Sequence, residues 1–124
     1  MGINVIVTRG IDRTFMPTGQ DIALSEWIDL VGGDETLRIN TEPHVGLHPH
    51  TGERFAMRPR RGDAEILLEG RWEPFLYFQS GVLSMRYSEG LDDPQNPVRK
   101  KIAAVAKQLG ALVALDSNDY LFEW

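Results

Sequence analysis

The chain has 124 residues, no cysteine and a formal net charge of -5. That length suits one compact domain spanning 1–124, which buries roughly two-thirds of its unfolded surface and needs no disulfide or metal as a staple. The missing thiols exclude disulfides, thiolate zinc sites and cysteine nucleophiles, and the acidic balance argues against a general nucleic-acid binder, which carries a basic domain.

The basic residues are unevenly chosen: ten Arg against three Lys, with Arg54, Arg58, Arg60 and Arg61 inside eight residues. The opening MGINVIVTRGI has no basic region ahead of a long apolar core, so no secretory signal is read there. Ile6 stands where a myristoylation pattern needs Ser or Thr. No apolar run approaches the roughly 18 residues of a membrane span. The expectation is a cytoplasmic protein that engages neither membrane nor nucleic acid.

Ile3 to Thr8 (INVIVT) is β-branched and apolar and reads as a strand. Arg9 to Gln20 is a loop. Leu24, Trp27, Ile28 and Val31 fall at i, i+3, i+4 and i+7, one apolar face of a short helix over Leu24 to Val31 that Gly32-Gly33 stops. Asp34 caps a further turn containing Glu35 and Leu37, and Leu37 to Asn40 is a short extended piece. Thr41 to Glu53 (TEPHVGLHPHTGE) carries two Pro, two Gly and all three His, and reads as a long loop. Arg54 to Met57 is an edge strand and Arg58 to Asp63 a basic turn.

Ala64 to Leu68 is a strand ended by Gly70. Pro74 suits the first residue of the next strand. Phe75 to Gln79 and Val82 to Tyr87 flank Ser80-Gly81, a favoured two-residue hairpin connection. Phe75-Leu76-Tyr77-Phe78 is apolar on both faces, which predicts a central strand. Ser88 to Asn96 is an acidic, turn-rich loop. Asn96-Pro97 starts a helix, with Asn as cap and Pro at the first helical position. Val98, Ile102, Val105 and Leu109 form its stripe, and Gly110 stops it. Ala111 to Leu115 and Tyr120 to Trp124 are strands around the turn Asp116-Ser117-Asn118.

Both ends of this pattern resemble a widespread family of small uncharacterised bacterial α+β proteins. The N-terminal likeness lies in Ile22-Ala23-Leu24-Ser25-Glu26-Trp27-Ile28 and Gly33-Asp34-Glu35-Thr36-Leu37-Arg38. The C-terminal likeness lies in Phe75 to Tyr87, Asn96-Pro97, Leu109-Gly110-Ala111-Leu112-Val113 and Asp116 to Tyr120. Thr41 to Arg71 is not covered, and Ala23 stands where the family pattern has a Ser cap. Such proteins are similar in size and character to the immunity proteins of bacterial toxin systems. The resemblance therefore implies a non-enzymatic protein that occludes a cognate toxin, and it brings over no catalytic residue and no cofactor.

Three groups of residues are candidates for recognition or chemistry. His44, His48 and His50 are the one cluster of metal-ligand types. Pro43, Gly46 and Pro49 rule against a helix that would align two of them, so the simpler account is a polar loop with uncommitted histidines. Arg58, Arg60 and Arg61, with Arg54, form a turn whose guanidinium forks suit carboxylate or phosphate; the simpler account is a solvated turn beside an edge strand protected by charge. Glu89, Asp92 and Asp93 are turn formers that also suit a basic partner by charge complementarity. The sequence contains no G-x-S-x-G, P-loop or G-x-G-x-x-G.

The sequence thus predicts an α+β domain: a mainly antiparallel sheet of five or six strands with two helices packed on one face. The second helix is expected to lie on the Phe75 to Tyr87 hairpin. The functional expectation is an immunity-type binding protein, monomeric or homodimeric, whose partner meets Arg58, Arg60, Arg61, Glu89, Asp92 and Asp93. The second expectation is a small metal-dependent or phosphate-handling enzyme built on the His44, His48, His50 loop and the Arg54 to Arg61 turn.

Overall fold

A computed structural model of the chain describes residues 3–40, 44–47, 49–57, 62–117 and 120–124, with 44–47 and 55–57 described by their backbone alone. The elements run β1 (Asn4–Thr8), α1 (Leu24–Gly32), β2 (Leu37–Ile39), β3 (His44–Leu47), β4 (Arg54–Met57), β5 (Ala64–Leu68), β6 (Arg71–Pro74), β7 (Tyr77–Gln79), β8 (Val82–Arg86), a 3-10 turn (Glu89–Asp92), α2 (Pro97–Leu109), β9 (Leu112–Leu115) and β10 (Leu121–Phe122). The class is α+β. An antiparallel sheet of five strands has the order β10-β9-β1-β8-β7, a second sheet the order β2-β5-β6, and β3 pairs with β4.

The five-stranded sheet forms because its strands alternate. Val5 and Val7 of β1, Leu83 of β8 and Val113 of β9 are buried on its inner face, and the register Val7↔Leu83 and Val7↔Val113 puts them side by side. The hairpin at Ser80-Gly81 has φ of 51° and 81°, the two positive values that a type I′ connection requires. Position 81 tolerates only glycine, since a Cβ there would stand 2.4 Å from Asp21 Cβ.

Helix α2 occupies the predicted residues, and its ends are chemical. Asn96 accepts from the Val98 N–H at 2.8 Å and the Arg99 N–H at 3.3 Å. Gly110 closes it in the left-handed region at φ 62°, where a glycine has no Cβ penalty. Ile102, Val105, Ala106 and Leu109 are buried beneath it. Helix α1 lacks half of its cap. Ala23 has no acceptor, but its N–H donates to Glu26 Oε1 at 3.1 Å, which is the returning half of a capping box. Trp27 is fully buried, and its Nε1–H donates to Gly62 O at 2.8 Å. Buried apolar residues from both helices and from the five- and three-stranded sheets join in one hydrophobic cluster.

Five expectations are corrected. The predicted loop Thr41 to Glu53 contains β3, which pairs with β4 from His44↔Met57 to Leu47↔Arg54; in sequence the strand fits between Pro43 and Pro49, so the prolines bound it rather than forbid it. Phe75 and Leu76 do not belong to a central strand. They are fully buried in the link between the two larger sheets, where Phe75 N–H donates to Ala64 O and Ala64 N–H to Leu76 O, both at 3.0 Å. The strand that follows, β7, is an edge. Pro74 ends β6 rather than beginning a strand. Helix α2 packs chiefly on β9 and β1, not on the β7–β8 hairpin. Ile28 is 38% exposed, while Leu30 packs against the core in its place.

Candidate functional site

The inner face of the five-stranded sheet is longer than the helix that covers it. By the alternation of β-structure, Ile3 continues the row of Val5 and Val7, and Tyr87 continues that of Leu83 and Met85. Tyr87 N–H donates to Ile3 O at 2.8 Å, which places these two residues side by side. On the other flank Leu115 N–H donates to Tyr120 O at 3.0 Å, and Phe122 sits opposite Val113. Ile3, Tyr87, Leu115, Tyr120 and Phe122 therefore share the apolar face at its end. There Ile3 and Tyr120 are each 54% exposed.

These residues and Asp92 line a hollow of about 300 Å³. Phe122 is its central ring. Tyr87 stacks beside it, 6.3 Å between centroids and 13° between planes. Tyr120 meets it edge-on at 5.0 Å and 71°. Trp124 extends the row, 4.6 Å from Phe122. Residues 120, 122 and 124 alternate onto one side, so a short edge strand presents three aromatic rings.

Asp92 arrives at the rim through the 3-10 turn. Leu91 is buried and anchors the turn in the core, which fixes its neighbour outside. The Tyr87 hydroxyl donates to Asp92 Oδ1. That bond, then burial, then the charges of Asp92 and Glu89 raise the Tyr87 pKa above its ordinary value. The phenol therefore stays neutral and keeps donating. Arg99 holds the turn from the helix side, donating to Asp92 O at 3.0 Å, and its guanidinium lies over the Trp124 ring at 5.1 Å.

A second hollow, of about 420 Å³, lies on the other side of Phe122 and Trp124, against Ala103, Ala106 and Lys107 of α2. Arg13 and Glu123 stand at its mouth, 3.3 Å apart and both largely exposed, a pair of the kind that contributes little.

Of the predicted site residues, Asp92 is in the hollow and Glu89 lies close enough for its charge to act on Tyr87. Asp93 is a turn former, accepting from Gln95 N–H at 2.9 Å. His50 is exposed in the turn after β3, His44 opens β3, and Arg54 opens β4. His48, Arg58, Arg60 and Arg61 lie outside the described residues. Among the described residues no three His, Cys, Asp or Glu side chains group as metal ligands, and no helix is long and apolar enough to cross a membrane. Trp72 receives the Arg38 guanidinium, 4.4 Å from its ring centroid.

Ile3, Tyr87, Leu115, Tyr120 and Phe122 were not among the predicted site residues. The signal that identifies them is the alternation Tyr120, Phe122, Trp124 in a terminal edge strand: more aromatic surface on one face than two helices of this length cover. No family model matches the sequence, and neither a curated protein nor a solved structure matches the chain.

Proposed function

We propose that this chain is a binding protein of the immunity type, which neutralises a cognate bacterial toxin by occluding it. The observation that carries the binding role is the uncovered end of the sheet. An apolar aromatic surface is open to solvent there, beside the Asp92 and Glu89 carboxylates. Exposed apolar surface rimmed by polar groups is characteristic of protein contact sites, and Tyr and Trp are the residues on which such contacts concentrate.

The choice of a toxin as partner draws on the resemblance of both ends of the chain to small bacterial immunity-like proteins. The net charge of -5 agrees with it, because an acidic surface is drawn to the basic active sites of proteins that act on nucleic acid. Occlusion asks only for a rigid face and no reaction, and a hydrogen-bonded β-sheet whose inner face joins the hydrophobic core is suited to that.

Co-expression with the product of the adjacent gene tests this reading. Cells carrying both genes should grow where cells carrying the neighbour alone do not, and the two proteins should co-purify. A neighbour that is harmless on its own, or equally toxic with and without this chain, contradicts it.

A further inference from the structure

We propose that the hollow between Tyr87, Tyr120 and Phe122 receives an arginine side chain from the protein partner, held between the aromatic faces and the Asp92 carboxylate. The inference rests on the reading of the chain as a binding protein and specifies the chemistry of its contact.

The lining is one-sided in charge. Ile3, Leu115, Tyr87, Tyr120 and Phe122 supply apolar and aromatic surface, and among the described residues that line the hollow Asp92 alone is charged; Arg99 stands outside the lining, engaged with the Asp92 main-chain O and the Trp124 ring. Glu89 adds a second negative charge within reach of Tyr87. Aromatic faces are negative, and a cation against them is attracted most where water is partly excluded. An anionic group such as phosphate would be repelled by both carboxylates. A purely apolar side chain would strip water from Asp92 and return nothing to it. A planar guanidinium on an apolar stem satisfies both parts, since it stacks on rings and forks onto carboxylates, which an ammonium does less well.

The same combination already occurs within the chain. The Arg38 guanidinium donates to Glu65 Oε1 at 2.8 Å while lying 4.4 Å from the centroid of the Trp72 ring. Arg99 lies over Trp124, in the same aromatic row as the hollow. At the hollow the ring and the carboxylate come from this chain, and the guanidinium is the complement the partner supplies. Asp92 keeps its place without that partner, because Leu91 is buried beside it and Tyr87 donates to it.

The test is a titration of isotope-labelled protein with Nα-acetyl-L-arginine N-methylamide, followed by NMR at constant ionic strength. The neutral, nearly isosteric citrulline derivative is run in parallel. Saturable shifts centred on Ile3, Tyr87, Leu115, Tyr120 and Phe122 are expected with arginine and not with citrulline. Asp92→Asn, which keeps an acceptor for the Tyr87 hydroxyl, should weaken the arginine response by about tenfold, and Tyr120→Ala should weaken it with the fold intact. Equal shifts with citrulline, an unaltered response in Asp92→Asn, or no response at these residues would overturn the proposal. The outcomes separate the two claims. Arginine binding without any protection from the neighbouring gene product leaves the hollow standing and removes the immunity role. Protection that is unchanged in Asp92→Asn, with no arginine response, does the reverse.

Discussion

Asp34 ties the turn after α1 to α2. Its Oδ2 accepts from Lys101 Nζ at 2.8 Å, and its Oδ1 accepts from the Thr36 N–H at 2.9 Å and hydroxyl at 2.7 Å. Burial alone would raise its pKa. The Lys101 ammonium and the two Thr36 donors outweigh burial and lower it from 3.8 to about 2. A depressed folded-state pKa contributes stability that is fully present above the unfolded value and is lost as pH falls through the folded one. Asp34→Asn should therefore lower stability near neutral pH by on the order of 1–2 kcal/mol, and should flatten the dependence of stability on pH between about 4 and 2. Urea unfolding at a series of pH values measures both. The turn-forming role of Asp34 is legible in the sequence, because Thr36 is two residues away. Lys101 is not, because 67 positions separate the partners and only the packing of α2 brings them together.

At the scale of elements, legibility follows the range of the deciding interactions. Helix α2 is read to the residue because its cap, first proline, stripe and glycine stop are all local. The β7–β8 turn is read for the same reason. The sheet boundaries are not, since pairing is settled between strands far apart in sequence. Phe75 and Leu76 illustrate the loss. Apolar residues on both faces signal a fully buried segment, and the segment is fully buried, but as a joint between sheets rather than as a central strand. The β3–β4 hairpin was hidden by prolines that bound it. The packing of α2 gives a direct check. Ile102 is fully buried against the sheet, so Ile102→Asp places an unpaired charge in the core and should abolish the folded state. Ile102→Ala should cost about 2–5 kcal/mol. Circular dichroism with urea titration reads both. An unchanged transition in Ile102→Asp would mean that α2 does not bury this face.

On the scale of the whole molecule, a five-stranded sheet is covered by a helix that ends before the sheet does. At the remaining end of the inner face Ile3 and Tyr120 are exposed, and Tyr87, Leu115 and Phe122 are half-buried. From the sequence the acidic loop is a candidate recognition element, and Asp92 of that loop lines the hollow. The aromatic side of the hollow was not legible as a site, because Tyr87 and Tyr120 read as ordinary strand residues until the strand order places them on one face. Tyr77 offers an internal comparison. It is also exposed, but it lies on β7, at the opposite edge of the same sheet. The central claim is that the chain binds its partner through the uncovered end of the sheet, and calorimetric titration against the purified product of the adjacent gene tests it most directly. Tyr120→Ala should weaken that affinity by about thirtyfold, the loss of one aromatic anchor worth about 2 kcal/mol, while Tyr77→Ala leaves it unchanged. Equal affinity for wild type and Tyr120→Ala, or no binding by the wild-type chain, would contradict the account.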